Sequence, residues 1–414
     1  MPRHRLAHID YAEEFTLENG VKVIFSKGQS NVFAAEILVN FGSAFEERKN
    51  SGIAHFIEHM FFSGTKKHSR LQISKKIDSV GGYLNAFTSR ENIGYLVKTD
   101  ATNGMMALNT LLDCFNNCQF YNDQLEVERR IIANEIRDSY DNPTRHAIIE
   151  FYKVCLGKKF GKPIAGSEKN VLRFRRRDLL SHFKVSHHIG NCIFSIVAPD
   201  EPLKYFKVIE KNLLRRKNSS LKLRKCNAKA KQKEVFVEKK IEQTHICVGF
   251  PTVSSSDENY AALTILEAIL GGGLSSRIVY KIREKHGLSY MAHAFLDAEP
   301  KHGAFCVYAA TNPEKAKKVI SIIKKELELV ANGRISESEL KKAKKHIIGS
   351  QAIAWEDSLE KARDNSFAYC SGWGWAEYFE KIKSFKMAEL KRAVNELMDP
   401  QNLCFVYLGP STKK

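Results

Sequence analysis

The chain has 414 residues, 43% of them hydrophobic, enough apolar side chain to bury more than one core and to favour two domains over one. Its formal charge of +18, from 65 Lys and Arg against 47 Asp and Glu, is spread along the sequence without interleaved aromatics, which argues for a Lys-rich surface and against a nucleic-acid partner. No stretch approaches the roughly 20 uninterrupted apolar residues that span a bilayer, and nine scattered cysteines make a poor disulfide framework, so no membrane partner and a cytoplasmic setting are expected.

Residues 1–10 carry basic side chains with no apolar segment behind them, which predicts no secretory leader. Residues 15–25 read as a hairpin, with Asn19-Gly20 between alternating apolar positions, and residues 33–41 as a strand. After a polar loop comes His55-Phe56-Ile57-Glu58-His59, in a helix ending at Ser63-Gly64-Thr65. Residues four apart on a helix share a face, so His55 and His59 can grip one ion while Glu58 flanks it. Two imidazoles and a carboxylate suit tetrahedral zinc with a water in the fourth position, and a second carboxylate can take that water's proton. The pattern is the mirror spacing of the commoner His-Glu-x-x-His motif.

Further along, a helix is expected at 71–80, strands at 83–87 and 95–99, and helices at 104–117 and 123–140. Cys114 and Cys118 have the spacing of half a zinc knuckle, but no second pair completes it. Asp123-Gln124-Leu125-Glu126 is a capping signature, and Asp141-Asn142-Pro143 is a stop. Within this helix Glu128 and Glu135 lie seven apart on one face. Glu135 is expected as the third metal ligand and Glu128 as a carboxylate that orients a ligand or tunes the bound water. His182, His187 and His188 read as solvated loop residues, and Trp373 and Trp375 as packing.

The basic run at 214–233 reads as a linker between a first domain at 1–213 and a second at 234–414. The halves look alike. Residues 234–238 and 245–250 read as strands, and a helix at 260–270 ends at Gly271-Gly272-Gly273. Aligning the glycine ends sets Leu263, Leu266 and Glu267 opposite His55, Glu58 and His59, so the second copy lacks the ligands. With further helices at 313–331 and 336–353, the pattern predicts α+β domains, each a mostly antiparallel sheet with helices on one face.

The chain resembles the insulinase/pitrilysin family of inverted-motif zinc metallopeptidases, in its short-chain branch related to mitochondrial processing peptidase. The motifs that carry the likeness are His55 to Met60 with Gly64-Thr65, Gly81-Gly82-Tyr83-Leu84-Asn85-Ala86-Phe87-Thr88, Glu128 to Glu135, Phe160-Gly161-Lys162-Pro163 with Gly166, and Gly272 to Tyr290. His187 and His188 depart from it, where the family more often shows a Tyr and a Pro.

The resemblance implies one Zn²⁺ per chain on His55, His59 and Glu135, with Glu58 as general base and Glu128 as its helper. It places Asn85 and Ala86 on an edge strand that pairs with substrate backbone. Arg283 and Tyr290 resemble the family's Arg/Tyr pair, an Arg to hold peptide backbone and a Tyr to donate to the oxyanion. It further implies a zinc-dependent endopeptidase working on extended peptides in an enclosed chamber. The chamber would be a clamshell homodimer in which each chain lends Arg283 and Tyr290 to its partner. Two alternatives stay open: a processing subunit acting with a related partner chain, or a non-catalytic structural core subunit. A processing enzyme needs acidic walls for basic presequences, for which a +18 chain is not an obvious host.

Overall fold

The computed structural model describes residues 12–213, 225–226 and 233–411. The expected linker lies outside the described residues apart from Lys225, Cys226 and Lys233, and so do residues 1–10.

Apolar runs of strand length build a six-stranded sheet from β1 (Glu13–Thr16), β2 (Lys22–Lys27), β3 (Val32–Val39), β4 (Tyr83–Thr88), β5 (Ile93–Asp100) and β6 (Cys192–Ala198), in the order β1-β2-β6-β3-β5-β4. Only β2 and β6 run parallel. The expected hairpin forms, but Thr16 pairs with Lys22, so its turn spans residues 17–21 and not Asn19-Gly20 alone. Gly20 takes φ +87° there, and Asn19 Oδ1 accepts the Val21 amide at 3.1 Å.

The second half supplies β7 (Lys233–Glu238), β8 (Thr244–Thr252), β9 (Met291–Glu299), β10 (His302–Thr311) and β11 (Cys404–Gly409), ordered β7-β11-β8-β10-β9 with only β7 and β11 parallel. This repeats β2-β6-β3-β5-β4 strand for strand. The helix after β8, Tyr260–Leu270, stands where α1 (Ile53–Phe61) follows β3. Glu267, aligned with His59, is half-buried and accepts the Leu296 amide at 3.2 Å.

Helices cover both faces of each sheet, which is why β3, β8 and β10 are apolar and buried nearly throughout instead of alternating. On one face of the first sheet lie α1, α2 (Arg70–Asp78) and α3 (Gly104–Asn117). Phe61 stacks on Tyr95 there, with ring centroids 3.5 Å apart. The other face is closed from the far half: helix Ser358–Ser371 packs on β3 and β6. Reciprocally, α5 (Pro143–Phe160), which follows α4 (Asn122–Asp141), packs on β8, β10 and β11. Phe151, Cys155 and Leu156 join Tyr308, Val406 and Leu408 in one apolar cluster. Each half therefore completes the core of the other.

A buried polar knot adds to this exchange. Arg90, 6% exposed, donates to Asp297 Oδ2 and to the Phe160 carbonyl, each at 2.8 Å, and its guanidinium lies 3.7 Å from the Tyr152 ring centre. Glu91 joins His302 Nδ1 at 2.8 Å, and Glu299 accepts from Ser89 Oγ and the Glu91 amide at 3.0 Å.

The histidine-rich segment after helix Arg176–Ser186 is not a solvated loop. His187 is buried, stacked on Phe183 at 4.0 Å, and bonded through Nε2 to Tyr95 Oη and through Nδ1 to Ser186 Oγ, both at 2.8 Å. Burial, then the neighbouring His188, lowers its pKa to about 3, so it is a neutral core residue. His188 is buried as well, and His182 holds Asp178 O and Asn50 Nδ2. The segment turns inward because it feeds β6, a strand buried at every position. Trp373 and Trp375 pack as expected, with Trp373 stacked on Tyr378 at 4.5 Å.

Candidate metal centre

The motif helix α1 owes its placement to a distant carboxylate. Gly52 precedes it at φ +100° and offers no side chain to cap the free amides. Glu46 supplies the cap, accepting from Gly52 N at 3.0 Å and Ala54 N at 2.9 Å. Burial raises the Glu46 pKa, while those amides and Lys162, 3.9 Å away, pull the other way. A Cβ on Gly52 would meet Ala165 O at 2.6 Å, and one on Gly166 would meet Ser51 O at 2.3 Å. The loop at 161–166 is thus seated against the start of the helix, and the imidazoles one turn on are held in a fixed direction.

Helix α4 begins at Asn122, one residue before the expected cap; Asp123 is inside the first turn and caps nothing. At its far end α4 stops at Asp141, where the Asp141-Asn142-Pro143 signal is expected to stop it, but Pro143 does not lead into a loop. It opens α5, whose N-cap Asn142 accepts the Arg145 amide at 3.0 Å.

The two helices bring the donors together. Glu135 Oε2 lies 3.3 Å from His59 Nε2 and 3.7 Å from His55 Nε2, and the imidazole centroids are 4.6 Å apart. Zinc bonds of about 2.0–2.2 Å in a tetrahedron set neighbouring donors about 3.3–3.6 Å apart. Two nitrogens and one oxygen at this spacing fit the ion, and all three residues line an open cleft in which a bound ion would be reachable by a further ligand. Burial and then His59 lower the His55 pKa to about 3, which leaves its ring neutral, the form that ligates.

Glu128, 2% exposed, accepts from His59 Nδ1 at 2.9 Å and from Arg70, the first residue of α2. Burial raises its pKa, but these two bonds outweigh it and the group lies below the usual carboxylate range. An ionised Glu128 can only accept, so Nδ1 of His59 carries a proton and Nε2 is the atom turned toward Glu135. Burial lowers the His59 pKa, but the Glu128 bond and the nearby carboxylates raise it overall, so a bound metal would take the place of the Nε2 proton. Replacing Glu128 with Gln should weaken zinc binding by roughly 10- to 100-fold, measured by competition with a chromogenic chelator. Unchanged affinity would remove Glu128 from the site.

Glu58 sits beside the donors, its carboxylate within 4.8 Å of both imidazoles, and differs from Glu135 in being largely buried and held by Thr88. Its Oε2 is 3.9 Å from His55 Nε2 and accepts from Thr88 Oγ1 at 3.1 Å. Burial raises its pKa, and the His59 charge and the Thr88 bond lower it in part. Asn85 and Ala86 lie on β4, the outer strand of the first sheet, in the wall of the same cleft. The Ala86 amide is taken by Asn85 Oδ1 at 2.8 Å. The cleft encloses about 820 Å³ and contains His55, Glu58, His59 and Glu135.

Arg283 and Tyr290 do not line this cleft. Arg283 lies on the surface beside Glu284, 3.3 Å away, and Tyr290 is 91% exposed. Glu46, Arg70 and Thr88 escaped the sequence reading as site residues. The Ser69/Gln72 capping box marks where Arg70 begins its helix, but nothing local signals its reach to Glu128.

An α+β repeat holding two histidines, a carboxylate and a nearby free carboxylate on paired helices is the frame of an inverted-motif zinc peptidase. Residues 22–163 match the insulinase (peptidase family M16) domain and residues 173–347 the peptidase M16 inactive domain. The chain belongs to the insulinase family, peptidase family M16. It is 31% identical over 359 residues to an uncharacterized zinc protease of Mycobacterium tuberculosis, covering 84% of this chain and 81% of that one. It is 28% identical over 404 residues to an uncharacterized zinc protease of Rickettsia bellii, covering 95% and 97%. Two solved structures share the fold at a TM-score of 0.89: a protease from Helicobacter pylori, 22% identical over 97% of this chain and 100% of that one, and a peptidase M16 inactive domain from Pseudomonas fluorescens, 17% identical over 97% and 99%. Among the described residues no helix is long and apolar enough to cross a membrane.

Proposed function

We propose that this protein is a zinc-dependent endopeptidase that cleaves peptides held as an added strand along β4. The observation that carries the reading is that three donors at zinc spacing, a carboxylate outside that set and an open sheet edge share one cleft. When bound, zinc supplies a Lewis acid that polarises the scissile carbonyl and makes water more acidic. The chain's own residues do the rest. The peptide backbone takes over the Ala86 amide from Asn85 and aligns in the cleft, a mode that reads little of the side chains. Glu58, held by Thr88, accepts the proton of the attacking water and passes it to the leaving amine. Protein purified without added metal should contain one zinc per chain, and a chelator should abolish digestion of a peptide library until zinc is restored. Chelator-resistant digestion would overturn the reading.

Tyr290, at 91% exposed, is free to enter a neighbour's chamber, which supports a clamshell homodimer in which Tyr290 donates to the oxyanion and Arg283 holds backbone in trans. Mixing inactive His55→Ala and Tyr290→Phe chains should then restore one working site per mixed dimer. No recovery on mixing, with both variants dimeric, would refute sharing.

A further inference from the structure

The cleft has two chemically different walls. Besides β4, the cleft is lined by helix α5 with Arg145, Ile148, Ile149 and Tyr152, at spacings of three, four and seven, and by Pro163 and Ile164. Apart from the metal donors and Glu58, the charged residues lining the cleft among those described are all cations: Arg90, Arg145 and Lys162. Two of them are engaged. Arg90 is committed to Asp297 and the Phe160 carbonyl, and Lys162 donates to the Glu46 carbonyl at 2.5 Å and neighbours its carboxylate. Arg145 is exposed, and among the described residues its guanidinium has no carboxylate partner. An unpaired guanidinium in a concave site beside apolar side chains is a receptor for a planar carboxylate.

Resting on the peptidase reading above, we infer that this wall is a subsite for acidic, apolar peptides. Arg145 takes a carboxylate from a residue within two positions of the scissile bond, and Ile148, Ile149 and Ile164 take a neighbouring apolar side chain. The carboxylate can be an Asp or Glu side chain or the peptide's own C-terminus. A Lys or Arg in that position sets like charge against an unpaired cation, so basic presequence-like segments are turned away.

The test uses zinc-loaded protein and quenched peptides, amidated at the C-terminus and identical except for Glu, Gln or Lys at each of the two positions on either side of the cleaved bond. A free-acid set separates terminal from side-chain carboxylates. At one position kcat/KM for Glu should exceed that for Lys by at least about tenfold, the scale of one charge-assisted contact. Arg145→Gln should bring the ratio near one, and Arg145→Glu should invert it. Each ratio is read on a single preparation, so any change in overall rate cancels. Fluorescence anisotropy with the same peptides on the Glu58→Gln chain reads the preference without turnover. A ratio unmoved by either Arg145 variant, or a wild-type preference for Lys, overturns the subsite. Charge preference in binding with no hydrolysis by the wild-type chain would overturn the peptidase reading instead.

Discussion

Glu58→Gln should retain one zinc per chain and lose peptide turnover by roughly 10²–10⁴-fold, the contribution of a positioned acid–base group. The substitution is nearly isosteric, and a Gln carbonyl can still accept from Thr88, so the side chain keeps its place. The three donors at zinc spacing are His55, His59 and Glu135, so metal content should not fall. What is lost is the one cleft carboxylate, among the described residues, outside the donor set and able to take a proton. Metal analysis and single-turnover kinetics on the same preparation separate these effects. Near-normal kcat in the zinc-loaded variant would move the base elsewhere. Loss of zinc would instead make Glu58 a ligand.

Arg90→Ala should destabilise the chain by about 3–5 kcal/mol, the cost of removing one partner from a buried charge cluster. Against total stabilities of about 5–15 kcal/mol, that is a large fraction. The deletion strips Asp297 of its cation, leaves the Phe160 carbonyl unbonded and empties the face of Tyr152. Alkaline pH should worsen the loss. Burial raises the Glu299 pKa to about 7 from 4.5, so the unfolded chain ionises first and this group withdraws stability as pH climbs through that window. His302 is raised as well: burial opposes its protonation, but the Glu91 bond prevails, so its contribution is also lost as pH rises. With Arg90 absent, the acids lose their permanent counter-charge. Urea unfolding at pH 5 and pH 8 should therefore show the larger penalty at pH 8. A penalty below about 1 kcal/mol at both values would mean the knot is not a significant brace.

The motif was legible because it is local. His55, Glu58 and His59 need only helical periodicity to meet, and that periodicity is written in adjacent residues. The second-half helix Tyr260–Leu270 was read to its ends, since a largely apolar run, interrupted only by Thr264 and Glu267, stops at three glycines. Helix α5 was not anticipated. Its apolar positions face a sheet built some 100 residues later, its own pattern is weakly one-sided, and Gly157 breaks it at φ +70°. The three histidines near 187 read as polar loop because hydrophilic residue types say nothing of the Tyr95 and Ser186 partners that satisfy His187 in the core, or of the Asp178 and Asn50 partners of His182.

The sequence by itself determined the candidate ligand types, their spacing, the repeat of two α+β units and the family to which they belong, because each is a matter of neighbouring residues or of order along the chain. Tertiary structure alone decided that Glu46 caps the motif helix from outside, that Glu128, held by Arg70, takes the Nδ1 proton of His59, that each half lends a helix to the other's sheet, and that Arg145 lines the cleft with no carboxylate partner among the described residues. These are contacts between positions far apart in the chain, set by how whole layers pack, and no local periodicity carries them.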